Sequence, residues 1–365
     1  MSKHNPENER IKRKYFIFLK EAKRQDESSI DGVAKAISRF EEYTKYRDFK
    51  AFHFEQAVGF KTHLSKQVNQ KTGRPLSKAT MNSTVRYLKT FFQWLAMQSG
   101  YKSRINYSET EYFNLSEKDV RIATARRDKP VPTIEQIKRV INEMPYSSDI
   151  EKRDRALIAF TLLTGARDSA IASIKLKHID FTSDSIFQDA RDVKTKFSKT
   201  FKSYFFPVGD DIRQIVEDWM IHLKDKLLWG NNDPLFPQTL IESCERKFKA
   251  TGLKREHWSS AAPIRKNFRE SFERVGLPYF NPHSFRNTLV GLGETLCKSP
   301  EEFKAWSQNL GHEGVLTTFY SYGEVQPQRQ SDIFQKLKQP CERSHQDIDK
   351  IARAVVREMQ SQVIG

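Results

Sequence analysis

Residues 310–324 read LGHEGVLTTFYSYGE, and that stretch decides how the chain is read. Working outward from it, PHSFR stands at 282–286 and TGAR at 164–167. Together the three fragments hold Arg167, His283, Arg286, His312 and Tyr322. Gly165 ends a helix expected from about Asp149 to Leu163, so Arg167 is expected just past a helix end. Asn281 and Pro282 open a helix, which puts His283 and Arg286 at i and i+3 on one face of its first turn. That turn also offers free N–H groups and the positive end of the helix dipole, a natural seat for a phosphate. Ser299-Pro300-Glu301-Glu302 starts another helix with a cap, a proline at N1 and a glutamate at N3; it ends at Gly311, beside His312.

Taken singly, each fragment has an ordinary structural reading. TGAR fits a C-cap glycine followed by a solvated arginine. PHSFR fits a helix start with chance polar residues. Gly311-His312 fits a Schellman-type ending with a partly buried histidine, and a tyrosine in an amphipathic turn usually belongs to core or rim. Their combination has a chemistry. Two guanidiniums on one phosphate supply bidentate hydrogen bonds and fixed charge for a pentacoordinate transition state. A tyrosine becomes a nucleophile when cations surround it. The set fits attack of a phenolic oxygen on a DNA phosphodiester.

Composition points the same way. The 365 residues carry a formal net charge of +16 and a pI near 9.6, a field that favours a polyanion such as double-stranded DNA. Apolar residues make up 38% and include 26 phenylalanines, enough for two domains with cores. The three cysteines, Cys244, Cys297 and Cys341, are far apart and lack CxxC spacing, which argues against structural zinc and a disulfide framework. The start, MSKHNPENER, is polar, and no apolar run approaches a membrane span. These features imply a cytoplasmic protein without a membrane partner. No carboxylate or Cys/His cluster has metal-ligand spacing, so neither metal nor other cofactor is expected.

Periodicity predicts a mainly α fold with a small antiparallel sheet (α+β). Residues 1–112 read as a four-helix module, with apolar stripes through Ile11–Ala22, Ile30–Phe40, Ala57–Leu64 and Met81–Leu95. Residues 113–132 read as a basic linker carrying Arg121, Arg126, Arg127 and Lys129. A mixed domain then spans 133–336, opening on a Thr133-x-x-Gln136 capping box. Within it, three short strands are expected around Ile174–Ile179, Ile186–Val193 and Tyr204–Val208. Helices are expected from Asp210 or Asp211, over 240–250, 261–275 and 282–297, and from Ser299. Residues 337–365 form a tail whose helix, about His345 to Gln362, carries a stripe from Ile348 to Met359. That stripe packs on its own domain or on a neighbouring protomer.

The three ordered boxes resemble those of the tyrosine recombinase, or phage integrase, family, in particular the Xer- and Cre-type site-specific recombinases, and with the helical module and linker ahead of them the resemblance covers nearly the whole chain. TGAR looks like the first arginine box, PHSFR like the His-x-x-Arg box, and LGH with its following tyrosine like the third. The resemblance implies a SAM-like core-binding domain, a catalytic domain, and DNA cleavage through a 3′-phosphotyrosyl bond. It implies catalytic roles for Arg167, Lys194, His283, Arg286, His312 and Tyr322. Arg167 and Arg286 clamp the phosphate, His312 is a further donor, Lys194 protonates the leaving 5′-oxygen, and His283 moves the tyrosine's proton. The family lysine lies on the second hairpin, where Lys196 and Lys199 compete with Lys194; Tyr320 competes with Tyr322. Three residues after the arginine, where many members carry an acid, stands Ala170, with Asp168 earlier. The resemblance also implies self-association on DNA, a dimer per site and a tetrameric synapse, and leaves room for an accessory DNA-bending or directionality factor. The docking of the tail helix on a neighbour belongs to the same inference. Rival readings are a type IB topoisomerase-like nicking-closing enzyme and a catalytically silent DNA-binding regulator.

Overall fold

The computed structural model describes residues 4–69, 73–125, 130–244 and 247–312. The chain divides into two compact units, Met1–Arg127 and Asp128–Gly365. Among the described residues no helix is long and apolar enough to cross a membrane.

The first unit is helical. α1 (Pro6–Ile17) runs on through a π turn at Phe18–Ala22, and is followed by α2 (Glu27–Tyr43), α3 (Phe54–Lys66) and α4 (Lys78–Leu95). Asn5, Asp26 and Ser77 cap three of them with side-chain oxygens, each satisfying backbone donors the helix leaves open. The apolar stripes meet in a core of rings. Phe40 contacts Phe60, Phe92 and Phe113, and Phe52 stacks on Phe92 with centroids 4.1 Å apart. The expected linker contains a helix of its own, α5 (Glu117–Thr124), capped by Ser116 and tied to α4 through Lys78 and Asp119 at 2.8 Å. Arg126, Arg127 and Lys129 lie outside the described residues.

The second unit opens with α6 (Ile134–Glu143), where the Thr133–Gln136 capping box forms as read. α7 (Asp149–Thr164) is its axis. Residues 156–164 are buried without interruption, because other elements cover the helix on every side. After the single turn α8 (Asp168–Ile171) comes an antiparallel sheet of β1 (Ile179–Asp180), β2 (Ser185–Gln188) and β3 (Phe201–Tyr204), in that order. α9 (Asp210–Ile221), β4 (Pro237–Cys244), β5 (Lys247–His257), α10 (Ala262–Arg274), α11 (Pro282–Leu296) and α12 (Pro300–Asn309) follow.

Five readings need correction. Residues 240–250 belong to the antiparallel β4–β5 hairpin and not to a helix. Ile241 and Phe248 have helical spacing but little to pack against: Ile241 is 60% and Phe248 83% exposed. The hairpin is held at its base instead, where the Arg153 guanidinium donates to the Pro237 carbonyl (3.0 Å) and the Thr239 hydroxyl (2.9 Å). The third strand ends at Tyr204, because the Phe206 N–H leaves the sheet to bond the Leu163 carbonyl of α7. Of the first expected strand only Ile179 joins this sheet, with Asp180 after it; Leu176–His178 forms a 3-10 turn and Lys175 makes an isolated bridge to Pro234, while Val193 lies past the end of β2. α9 is capped by Gly209, at φ 116°, with Asp210 and Asp211 in its first turn.

Candidate active site

Two helix endings and one helix start build the site. α7 stops at Gly165, whose φ of 61° is left-handed, and the chain turns so that Arg167 stands at the head of α8. α12 stops in a Schellman pattern. The Gly311 N–H bonds the Gln308 carbonyl (2.7 Å), the His312 N–H bonds that of Ser307 (3.3 Å), and Gly311 has φ 70°. α11 starts at Asn281, whose side chain accepts from the Ser284 N–H (3.1 Å), with Pro282 at N1. His283 and Arg286 therefore share its first turn.

Arg286 fastens the three together. It is 2% exposed. Its Nη1 donates to the Gly165 carbonyl, and its Nη2 donates to the Leu310 carbonyl and to His312 Nε2, the last at 3.0 Å. One guanidinium thus bridges the ends of α7 and α12. A neutral side chain could not supply these bonds and a positive charge at once. His312 is buried, and its pKa is pushed down to about 3, first by desolvation and then by Arg286 and Arg167. His283 faces solvent, yet the surrounding protein desolvates its ring. That, followed by Arg286 and Arg167, lowers its pKa as well.

Two clefts flank Arg167. One of about 410 Å³ is lined by Arg167, Asp168, Arg265, Asn281, Pro282 and His283. The other, about 220 Å³, is lined by Arg167, Lys196, Phe197, Lys199, Phe201, Gly311 and His312. Such a cluster of cations and neutral imidazoles is suited to an anion that gains charge during reaction. A family model described as the phage integrase family matches residues 132–329.

The chain belongs to the phage integrase family. It is accordingly a site-specific recombinase of the tyrosine class, as the three boxes implied. The chain is similar to the tyrosine recombinase XerC of Staphylococcus aureus strain MSSA476, with 19% identity over 315 residues that cover 84% of this chain and 90% of that protein. Among solved structures it shares its fold with XerH site-specific recombinase bound to palindromic difH substrate (TM-score 0.56, 18% identity, 86% of this chain and 81% of that one). It shares it also with a lambda integrase(75-356) dimer bound to a COC′ core site (TM-score 0.58, 11% identity, 86% and 94%).

Within this recombinase fold the structure brings together Arg167, His283, Arg286 and His312 as the boxes required. Tyr322 and Tyr320 lie outside the described residues, as does the tail helix. Lys194 stands as one of three lysine candidates, with Lys196 and Lys199. It lines neither cleft and its side chain is exposed, while its N–H donates to Ser173 Oγ (2.8 Å). Lys196 and Lys199, the competitors, line the cleft that holds Arg167 and His312. The reason is an anchor two residues before Lys194. Asp192 binds Lys175 and Lys177 at 2.6 Å each, so the β2–β3 connection is pinned at Asp192 and projects only beyond Lys194.

Sequence reasoning missed three supports. Asp192 is one; Lys175 and Lys177 hold its carboxyl far below the usual range. Asn309 is another: its side chain accepts from the Tyr204 N–H (2.6 Å) and donates to the Tyr204 carbonyl (2.8 Å), joining α12 to the edge of β3. Arg265 is the third, on a helix that was expected but not connected to the site. Neighbours distant in sequence define all three, so no local signal marked them.

Proposed function

We propose that the protein cuts and rejoins double-stranded DNA at specific sites through a 3′-phosphotyrosyl intermediate, as an integrase of a mobile element. The observation that carries this reading is the convergence of Arg167, Arg286, His283 and His312 beside Lys196 and Lys199. Tyr322 attacks phosphorus, and the bond to the 5′-oxygen breaks. Arg167 and Arg286 stabilise charge on the non-bridging oxygens, with His312 beside them. His283, neutral near pH 7, accepts the tyrosine proton and returns it on rejoining. A lysine of the β2–β3 connection, Lys196 or Lys199, protonates the leaving 5′-oxygen. The phosphotyrosyl bond conserves the energy of the phosphodiester, so a 5′-hydroxyl from another strand can reverse the attack. The reaction assigns no step to a metal or nucleotide.

Residues 1–112 and 133–336 serve as core-binding and catalytic domains that grip the duplex, with the basic segment Arg121–Lys129 on its backbone. Strand exchange needs two sites, so protomers associate on DNA as a dimer per site and a tetramer per synapse. The known neighbours support DNA as partner: the solved XerH and lambda integrase chains are bound to it. The deciding experiment is incubation of the protein with a nicked suicide duplex carrying its native flanking DNA, followed by a denaturing gel. A covalent protein–DNA band supports the reading. Its absence, with binding intact, leaves a silent DNA-binding protein. Recombinant junctions from two sites separate strand exchange from simple nicking and closing.

A further inference from the structure

Arg265 sits on α10, 97 residues from the arginine box, yet its guanidinium meets that box. Its Nε and Nη2 both donate to Asp168 Oδ2, at 2.8 and 2.7 Å. The other carboxylate oxygen, Oδ1, accepts from the Ser169 N–H at 2.9 Å. Asp168 is thereby fully engaged and mostly covered, while the Arg265 side chain remains 59% exposed. No hydrogen bond from Arg265 Nη1 is seen among the described residues, so its two N–H groups stand available at the wall of the 410 Å³ cleft. Arg167 and His283 line the same cleft.

Surface ion pairs of this kind add little stability. The pair has a clearer consequence for geometry. A long arginine normally samples many rotamers, and the fork onto Asp168 restricts it beside the cleft. Asp168 also follows Arg167 directly, so the same carboxylate fixes the head of α8, from which Arg167 projects. Arg167 borders both clefts, which makes them neighbouring seats with a shared wall. The seat with His312, Lys196 and Lys199 suits the scissile phosphate. The other has Arg265 in place of the lysines.

We propose that Arg265, positioned by Asp168, binds the DNA phosphate adjacent to the scissile one and sets the register of the strand in the site. This rests on the reading of the chain as a DNA strand-transfer enzyme. Arg265 is a positioning residue: it holds the strand, and takes no part in bond making or breaking. The phosphate meets Nη1, so the Asp168 pair survives binding and the strand is fixed by a contact already in place.

The test uses the full chain and a mixed-sequence duplex about 30 base pairs long, with affinity followed by fluorescence anisotropy over a range of salt. The wild-type log–log plot is expected to be steep. Arg265→Ala should make the slope shallower by roughly 0.9, the share of one phosphate contact. Its melting temperature should stay that of the wild type. Arg265→Lys should keep the wild-type slope but bind roughly 2- to 10-fold more weakly, since the ammonium lacks the fork that immobilises the arginine. An unchanged slope in Arg265→Ala, with or without a lowered melting temperature, overturns the proposal and leaves a structural pair. Equal slopes for the alanine and lysine variants overturn it too. A flat wild-type plot would instead bring down the DNA reading itself.

Discussion

Arg286 Nη2 lies 3.0 Å from His312 Nε2. A guanidinium only donates, so His312 Nε2 accepts and the ring is neutral, with its proton on Nδ1. A protonated ring would face a buried cation, which is why the His312 pKa falls to about 3, through burial first and Arg286 next. In the unfolded chain it titrates near its usual value of about 6.5. The fold therefore favours the neutral form. The stabilisation is fully present above about pH 6.5 and is lost as pH falls toward 3. At pH 5 the lost stability is about 2 kcal/mol from this residue alone. His283, with its pKa lowered in the same direction, adds to the trend. The melting temperature should fall between pH 7 and 4.5, and His312→Asn should flatten that fall. An unchanged pH slope in the variant would mean that folding does not lower the His312 pKa.

Tyr322→Phe removes the attacking oxygen and keeps the ring. It should abolish the covalent adduct on a nicked suicide duplex while leaving duplex affinity within about twofold, because the basic surface is untouched. Tyr320→Phe should still form the adduct. Adduct formed by the first variant and missing from the second would move the nucleophile to Tyr320.

The lysine assignment has a chemical test. Lys194→Ala should cleave at nearly the wild-type rate, whereas loss of the acting lysine, Lys196 or Lys199, should slow cleavage by about 10²–10⁴. A substrate with sulfur in place of the leaving 5′-oxygen needs no protonation. It should restore the slow variant and single out which lysine is the acid. Rescue confined to Lys194→Ala would return the role to that residue.

Gly311 has φ 70°, and a Cβ there would lie 2.8 Å from Phe201 Cζ. The residue stands between the Leu310 carbonyl, which receives Arg286, and His312. Gly311→Ala should destabilise the protein by about 1–3 kcal/mol and also slow cleavage, by shifting both partners of Arg286. Chemical denaturation with single-turnover assays checks both. Full activity at reduced stability would show that the helix ending tolerates the shift.

Cleavage should survive EDTA, because the arginines carry the charge stabilisation a metal would supply. Activity lost with chelator and regained with magnesium would contradict the proposed chemistry.

Helix caps and helix-ending glycines were legible because their signals are local. Ser77, Thr133, Asn281, Ser299, Gly165 and Gly311 all act within a few residues of the helix end they define. The boxes were legible for the same reason: PHSFR puts His283 and Arg286 on one turn whatever lies around it. Residues 240–250 depart from the expected helix because strand pairing across the turn holds them, and the exposed Ile241 and Phe248 offer a helix no buried face. Lys194 was chosen from its place along the chain, but the salt bridges of Asp192 to Lys175 and Lys177 decide where the β2–β3 connection leaves the body of the domain. So the sequence by itself determined most of the helices, many of their caps and the pairing of His283 with Arg286 on one turn, which depend on short-range sterics and hydrogen bonding. Only the tertiary structure decided which lysines face Arg167, and that Arg265 meets Asp168 across 97 residues, because those distances are set by how α8, α10 and the sheet pack.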